Sequence, residues 1–318
     1  MEAAPSQCDS SVFRLSPVVS PQLAITPRLR LQLAEWLQED LGRGDLSAPA
    51  VRGRQGQAEW VAKAPGVFCG GVLLDPLLRE LLPEADGAWS VKRLVAEGEP
   101  VAAGQRLLEL SGPAEALVAV ERTALNLAMR LSGIATATAA LVAELEGTGV
   151  RLADTRKTTP GLRELEKYAV RCGGGCNHRL GLDDAAMLKE NHLAWAGGVA
   201  QAIAAVRQAA PWPARVIVEA ETAEEARAAV AAGADGVLLD EFSPETLQGL
   251  VPELRQRAGS RPGGAPVVLE ASGVSPEQLK AYGATGIDLV SSSAPVTRSR
   301  WLDLSMRYTV RALPQASG

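Results

Sequence analysis

The sequence lacks the features that mark exported and membrane proteins. It has four irregularly spaced cysteines in 318 residues, too few for the disulfide framework of a secreted protein of this length. The opening segment has no basic and apolar signal-peptide regions, and no later run of about 20 apolar residues is free of charge. We therefore expect reduced thiols, a cytoplasmic location and no membrane partner.

An excess of basic charge is also absent, because the formal net charge is −5. A net acidic surface does not recruit nucleic acid unless a local basic patch dominates, so we predict no nucleic-acid partner. Any anionic ligand must then meet cations that are concentrated locally. The hydrophobic content of 47% is sufficient for a buried core and for more than one domain.

Beyond about residue 150, short β-branched runs alternate with alanine-rich helical stretches, as is typical of βα units on a parallel sheet. No GxGxxG turn follows the first strand, so a barrel of parallel strands is favoured over a dinucleotide-binding fold. Serine or threonine precedes several helices at the position of an N-cap. The predicted strands are 150–156, a run ending near 189, 215–221, 236–241, 266–272 and 287–293.

The first 115 residues have a different pattern. An amphipathic helix over 27–42 precedes short, glycine-punctuated runs that favour a small antiparallel sheet, and a long helix over 114–145 leads towards the barrel. The sequence leaves open an alternative in which this N-terminal helix packs on the barrel. The predicted organisation is a mobile extension (1–24), an N-terminal domain (25–130), a barrel domain (131–308) and a C-terminal tail (309–318).

Polar residues follow the predicted barrel strands. One such residue usually begins a solvated loop, but the carboxyl ends of parallel strands share one rim, where barrels build active sites. The joint pattern therefore indicates a site. The residues at these ends are Arg156, Lys157, Lys189, Glu219, Glu221, Asp240, Ser272, Gly273 and Ser291 to Ser293.

Basic residues are concentrated between 154 and 192, together with both histidines of the chain. We expect Arg163, Lys167 and Arg171 to lie on a solvated helix face, paired with Glu164 and Glu166. The other cations of this segment lie at strand ends or in a loop. Fixed guanidinium, ammonium and imidazole groups suit a ligand with several carboxylates or phosphates.

The loop CGGGCNHRLG (172–181) permits three interpretations: a phosphate cradle, a metal site at Cys172, Cys176 and His178, or a carboxylate pocket at His178 and Arg179. The C-x₃-C-x-H spacing lacks the paired arrangement of structural zinc sites, which disfavours the metal site. We expect the glycines to end the preceding helix and to let the chain turn tightly, so that His178 and Arg179 face a carboxylate.

The run DTRKTTPGLRELEKYAVRCGGGCNHRLGLDDAAMLKENH (154–192) closely resembles the central signature of the quinolinate phosphoribosyltransferase family. Further similarity lies in EDLGRGDLS (39–47), ERTALNLAMRLSGIAT (121–136) and the segments 218–241 and 269–293, so the resemblance covers about 25–308. It implies an α/β protein with an open α/β sandwich domain followed by an incomplete, TIM-like parallel α/β barrel. It also implies homodimers, or hexamers built from them, in which one subunit completes the active site of the other.

The activity implied by the resemblance is that of a pentosyltransferase, nicotinate-nucleotide pyrophosphorylase (carboxylating). This enzyme joins quinolinate to phosphoribosyl pyrophosphate (PRPP) and gives nicotinate mononucleotide, pyrophosphate and CO₂ in NAD biosynthesis. Matched residue by residue, Arg122 would reach the quinolinate of the partner subunit. Arg156, His178 and Arg179 would bind the two quinolinate carboxylates.

At the phosphoribosyl end, the resemblance implies catalytic roles for Lys157 and Lys189 near the substrate carboxylate and the pyrophosphate. Glu221 and Asp240 would hold the ribose hydroxyls or Mg²⁺, a cation that prefers oxygen ligands. The residues expected at the 5′-phosphate are Ser272, Gly273 and Ser293.

Two segments depart from the family pattern. The family has Asn where this chain has Glu241, and SxGALTHS where it has SSSAPVTRS, so Ser293 replaces a glycine and a histidine is missing. Two alternatives follow: a related phosphoribosyltransferase with another acceptor, or a non-catalytic homologue that binds a phosphorylated ligand. The intact DTRKTTPG and NHR motifs disfavour the first, and the presence of Lys157, Lys189 and Asp240 disfavours the second.

Overall fold

The computed structural model describes residues 21–83, 87–260 and 266–309. The extension expected over 1–24 and the tail expected over 309–318 lie outside these ranges, apart from residues 21–24 and 309. In the described residues, the buried apolar side chains form two clusters. The first core contains the N-terminal helices and sheet, and the second contains the outer face of a parallel sheet and its helices.

Ten α-helices and twelve β-strands make up the described part of the chain. The helices are α1 (Pro27–Leu41), α2 (Leu74–Leu81), α3 (Ala114–Glu144), α4 (Arg163–Cys172), α5 (Glu190–Ala196), α6 (Val199–Ala209), α7 (Ala223–Ala231), α8 (Pro244–Gly259), α9 (Leu279–Gly283) and α10 (Ala294–Thr297). The strands are β1 (Gln55–Ala62), β2 (Gly66–Val67), β3 (Ser90–Arg93), β4 (Pro100–Val101), β5 (Arg106–Pro113), β6 (Arg151–Ala153), β7 (Ala185–Leu188), β8 (Arg215–Ala220), β9 (Gly236–Asp240), β10 (Val268–Ser272), β11 (Leu289–Ser291) and β12 (Leu304–Tyr308).

The first unit is an antiparallel sheet covered by helices. Its four strands lie in the order β12-β1-β5-β3, and β2 and β4 form a separate two-stranded ladder. Helices α1, α2 and α3 pack on one another, and α3 also contacts β1, β5 and β12. Gln32 of α1 donates to the carbonyl of Gly161 across 2.9 Å, so α1 also contacts the loop that precedes α4.

Helix α3 connects the two units. It is the one described helix whose length and hydropathy would suffice to cross a membrane. Its apolar residues instead line the first core, and Leu141 and Val142 near its end pack on the second. A Cβ added at Gly133 would lie 2.1 Å from the carbonyl oxygen of Arg300, so glycine permits the segment that leads to β12 to cross the helix closely.

The second unit is the predicted incomplete barrel. Its six parallel strands lie in the order β6-β11-β10-β9-β8-β7, so each strand from β7 to β11 neighbours the next in the chain and β11 returns to β6. Strands β6 and β7 are the two edges of this sheet, and the opening between them is the gap of the incomplete barrel. Ala153 of β6 makes one parallel bridge with Cys176, which places the segment after α4 at the β6 edge of this gap.

Two of the predicted N-caps begin barrel helices where the sequence indicated, and the third, Ser275, makes no such side-chain bond. Thr222 accepts a hydrogen bond from the backbone of Glu225, whose side chain completes a capping box, and Ser243 accepts from the backbone of Thr246 at the start of α8. These caps start α7 and α8 directly after β8 and β9. The polar residues at the two strand ends are therefore held between a strand and a helix N-terminus.

Strand β12 was not predicted from the sequence. Its residues pair antiparallel with β1, from Leu304 opposite Ala62 to Tyr308 opposite Ala58. The last strand of the chain therefore lies in the first sheet, although it falls within the range expected for the barrel domain. Helix α3 likewise continues without interruption across residue 130, where the domain boundary was expected.

Candidate active site

The strand ends of the barrel bring oppositely charged side chains together at one rim. The ammonium of Lys189, after β7, pairs with the carboxylate of Glu219 at the end of β8. The hydroxyl of Ser272, at the end of β10, donates to the carboxylate of Asp240 at the end of β9. These contacts link the end of β7 to β8 and the end of β9 to β10, so predicted strand-end residues do meet at this rim.

Three carboxylates converge at this rim. Oxygen atoms of Glu219, Glu221 and Asp240 lie within 4.8 Å of one another. The negative charge of Glu190, followed by burial and by the charges of neighbouring carboxylates, raises the pKa of Glu221. The group therefore offers oxygen ligands in a place where a cation would relieve mutual repulsion.

Arg156 and Arg179 lie on the β6 side of the gap, near enough for their charges to interact. Burial and the positive charge of Arg156 together lower the pKa of Arg179, so the two guanidinium groups repel each other. The Nε of Arg156 is buried and has no hydrogen-bond partner among the residues that the structure describes, while Arg179 Nη1 donates to the carbonyl of Ala185 across 3.1 Å. Paired cations with an unused buried donor suit a ligand that carries carboxylates.

His178 is held by protein groups at both ring nitrogens. Its Nδ1 accepts from the backbone N–H of Arg179 at 2.7 Å, so the proton of the neutral ring lies on Nε2, which is 3.1 Å from Glu270 Oε2. A direct bond from this ring to a substrate carboxylate would have to replace one of these partners. Glu270 was missed from the sequence, where the only signal is one charge within an apolar strand.

A buried polar network fixes the loop that carries His178 and Arg179. The carboxylate of Asp154 accepts from Asn177 Nδ2 at 2.6 Å and from the backbone of His178 at 2.8 Å, and it pairs with Lys167. Lys167 Nζ also donates to the carbonyl of His178 at 3.1 Å. Burial is the main cause that raises the pKa of Asp154, and these contacts oppose it.

The solvated helix face predicted on α4 is wrong for its central residues. Lys167 is 1% exposed and Glu166 is fully buried. Glu166 accepts from Arg130 Nη2 at 2.7 Å and from Thr159 through its N–H and its hydroxyl, both at 2.8 Å. Arg130 also donates to the carbonyl of Val296 at 2.7 Å, so one ion pair links the loop after Lys157 to the last barrel helix.

The glycine turn acts as predicted, as a tight turn after α4. Gly174 has φ +87°, and a Cβ added at Gly173 would lie 2.4 Å from the carbonyl oxygen of Ala135 in α3. The structure separates the three residues of the disfavoured metal site. Cys176 Sγ donates to the carbonyl of Leu152, and His178 contacts Glu270. Cys172 lies with other residues in the first core.

The residues expected at the phosphate are arranged around the ends of β10 and β11. Gly273 has φ +75° and lines a cavity of about 340 Å³ together with Glu241 and Glu245, whose charges disfavour an anion inside that cavity. Ser293 has φ −86° and precedes α10, so its backbone conformation does not require the glycine of the family pattern. Its carbonyl accepts from the N–H groups of Val296 and Thr297.

Glu241 is the one described residue other than glycine with a positive φ, at 57°. Asparagine tolerates this left-handed region better than glutamate. We expect Glu241→Asn to raise the free energy of unfolding by about 1 kcal/mol, measured by equilibrium urea denaturation. Glu245→Asn, in the first turn of α8 beside the same cavity, should give no increase. Equal stability of Glu241→Asn and the original chain would contradict the prediction.

Arg122 lies on α3 and is exposed. It lines a cavity of about 530 Å³ with residues of α1, of α3 and of the loop 159–162. The strand-end residues are not among those that line this cavity. Trp301, also in the lining, is 51% exposed. The structure therefore places Arg122 beside this cavity and not among the residues that gather at the strand ends.

Comparison with known proteins finds relatives over most of the chain. The chain is 42% identical over 290 residues to the "Probable nicotinate-nucleotide pyrophosphorylase [carboxylating]" of Synechocystis sp., covering 90% of this chain and 93% of the relative. It is 38% identical over 275 residues to the "Nicotinate-nucleotide pyrophosphorylase [carboxylating]" of Homo sapiens, covering 86% and 89%. The crystal structure of NadC from Streptococcus pyogenes matches with a TM-score of 0.81 and 35% identity, covering 91% of this chain and 99% of that one.

Two family models match consecutive parts of the chain. The model for the quinolinate phosphoribosyl transferase N-terminal domain matches residues 45–132, and the model for the C-terminal domain of the same family matches residues 134–307. Both units described above are therefore accounted for by one family. The chain belongs to the quinolinate phosphoribosyltransferase family.

Proposed function

We propose that this chain is a carboxylating nicotinate-nucleotide pyrophosphorylase, which transfers the phosphoribosyl group of PRPP to quinolinate in NAD biosynthesis. The observation that carries the proposal is the arrangement of charge at the barrel rim. Arg156 and Arg179 concentrate positive charge on one side of the rim, and Glu219, Glu221 and Asp240 concentrate negative charge on the other, where Glu219 is paired with Lys189. A dicarboxylate beside a polyhydroxylated sugar phosphate complements both groups.

The reaction requires electrostatic stabilisation at two steps, the departure of pyrophosphate and the loss of CO₂. The pyridine nitrogen attacks the anomeric carbon as pyrophosphate leaves through an oxocarbenium-like state, so fixed cations must stabilise the departing negative charge. Lys157, which is exposed after β6, and Lys189 are the ammonium groups for this role. The new pyridinium then stabilises the electron pair that stays on the ring carbon when the bond to the adjacent carboxylate breaks, so CO₂ leaves after the ring is attached and a proton from water takes its place on that carbon.

At the quinolinate end, Arg179 and Arg156 bind and orient the dicarboxylate. Guanidinium groups hold planar carboxylates through paired hydrogen bonds. His178 orients Arg179 through the bond between its Nδ1 and the backbone N–H of Arg179. Ser272, Gly273 and Ser293 remain the residues that we propose for the 5′-phosphate, at the open ends of β10 and β11.

The same rim offers a place for Mg²⁺. Glu221 and Asp240, with Glu219 beside them, present only oxygen ligands within 4.8 Å of one another, which fits a hard divalent cation. Glu221 and Asp240 would hold the ion together with the ribose and the pyrophosphate. When bound, Mg²⁺ would supply positive charge next to the leaving group.

We further propose that the enzyme acts as a cytoplasmic homodimer with shared active sites. Cys69, Cys172 and Cys176 are free thiols, which suits a reducing compartment. Arg122 is exposed on α3, beside a large open cavity and apart from the rim of its own subunit. A second copy that docks on this face would receive the guanidinium in its own quinolinate pocket.

A two-substrate assay tests the proposal. Pyrophosphate and CO₂ should be released in equal amounts, and only when quinolinate, PRPP and Mg²⁺ are all present; chelation with EDTA should abolish turnover. Nicotinate, which lacks the second carboxylate, serves as the matched control acceptor and should give no pyrophosphate. Turnover with nicotinate but not with quinolinate would show a phosphoribosyltransferase with another acceptor. Binding of PRPP without turnover of either acceptor would show a non-catalytic homologue.

A further inference from the structure

Three metal-binding side chains converge inside the first core, apart from the barrel rim. They are Cys69, Glu97 and Cys172, and their sulfur and carboxylate oxygen atoms all lie within 4.8 Å of one another. Both cysteines are buried, and Glu97 is half-buried. We propose that this cluster is a structural Zn²⁺ site that ties the N-terminal unit to the end of α4.

The three side chains lie near enough for one ion to draw them together. A zinc ion binds thiolate sulfur at about 2.3 Å in a tetrahedron, so the ligand atoms of a formed site are about 3.8 Å apart, whereas these three atoms lie within 4.8 Å of one another. Small rotations of the side chains would bring the three groups into coordination. Thiolates favour zinc and other soft or borderline cations over Mg²⁺ and Ca²⁺, so the chemistry of the set selects the metal.

Hydrogen bonds fix two of the segments that carry the ligands. The hydroxyl of Ser132 in α3 accepts from the backbone N–H of Cys69 at 2.9 Å and donates to the carbonyl of Cys69 at 3.0 Å. The carboxylate of Glu97 accepts from the N–H groups of Gly70 at 2.7 Å and Val72 at 3.0 Å. Such hydrogen bonds to a carboxylate are typical of metal ligands that are held in a fixed orientation.

The third ligand is brought in by a close backbone approach. A Cβ added at Gly98 would lie 2.8 Å from the carbonyl oxygen of Cys172, so glycine lets the loop that carries Glu97 touch the end of α4. Tyr168, one turn earlier in α4, lies with its hydroxyl 3.1 Å from Glu97 Oε2. Zinc prefers four ligands, so a bound ion would complete its coordination with a further group such as water.

The electrostatics of the cluster agree with a bound cation. Cys69 and Cys172 lie in the apolar first core, and the carboxylate of Glu97 lies against both sulfur atoms. Three acidic groups packed together in an apolar core are stable only when protonated or when a cation neutralises them. A divalent ion would convert the thiols to thiolates and remove this conflict.

Metal analysis of the protein produced with Zn²⁺ in the growth medium, and purified without chelator, tests the inference. We expect about one zinc per chain, and less than about one tenth of that in Cys69→Ser and in Cys172→Ser. Cys176→Ser is the matched control and should keep its zinc, because Cys176 Sγ bonds to the carbonyl of Leu152 outside the cluster.

A second measurement on the unsubstituted chain does not depend on the folding of the variants. Refolding in the presence of Co²⁺ should give a thiolate-to-cobalt charge-transfer band in the near ultraviolet, and refolding without metal should lower the melting temperature. The inference is overturned if the purified protein holds no zinc and refolded protein shows no such band. A disulfide between Cys69 and Cys172 in the purified protein would overturn it as well.

Discussion

Arg179→Ala is expected to raise the KM for quinolinate about 100-fold, because a bidentate charge-assisted contact to a carboxylate contributes about 3 kcal/mol. The same change should leave the KM for PRPP nearly unchanged, since Arg179 donates its hydrogen bond to the carbonyl of Ala185 rather than to a carboxylate of the rim. Steady-state kinetics with each substrate varied in turn measures both constants. Titration calorimetry with quinolinate alone measures the binding loss directly.

Two controls separate this effect from a general loss of charge or of fold. Arg179→Lys keeps the charge but loses the planar fork, so the KM should lie between those of the original chain and Arg179→Ala. Arg207→Ala removes a guanidinium that bonds to Gly233 and Asp235, before the start of β9, and should leave the kinetics unchanged. An unaltered quinolinate KM in Arg179→Ala would disprove the assignment of the carboxylate pocket.

The second large effect concerns Arg122. We expect Arg122→Ala and Lys189→Ala each to lower kcat/KM more than about 100-fold as pure proteins, because each removes a charged contact to substrate. A heterodimer of the two variants should regain about half the activity of the original dimer, since one of its two sites combines an intact rim with the partner's intact Arg122. Co-expression with two different tags yields this heterodimer for assay.

A matched heterodimer sharpens the interpretation. Lys189→Ala combined with Asp240→Ala should stay inactive, because both changes lie in the rim and each subunit retains one of them. Recovery in the first heterodimer but not in the second would place Arg122 in the partner's site. Failure of the Arg122→Ala and Lys189→Ala heterodimer to recover, with dimers confirmed by sedimentation, would place Arg122 in its own subunit and contradict the shared site.

The barrel could be predicted from the sequence because its signals are local. Strand β8 was expected at 215–221 and lies at Arg215–Ala220, and the capping residues Thr222 and Ser243 begin the helices after β8 and β9. A strand followed at once by a capped helix needs no information from elsewhere in the chain. The polar residues at the strand ends could therefore be assigned to one rim.

The supporting residues of the site could not be predicted, because their partners are distant in the chain. Lys167 and Glu166 have the spacing of a solvated ion-pair face, and only the positions of Asp154 and Arg130 show that both are buried. Glu270 contacts a histidine that is 92 residues away. Helical periodicity predicts which residues share one face of a helix, but it does not predict which other segments of the chain cover that face.

The pairing of β12 with β1 affects the order of folding during synthesis as well as the stability of the folded sheet. During synthesis the residues of β1 emerge early, but the strand that covers its outer edge is translated only after the whole barrel. Until then β1 presents an unpaired edge, which is the kind of surface that invites contact between nascent chains. Completion of the first sheet is therefore a late event in folding, even though most of that sheet belongs to the first third of the polypeptide.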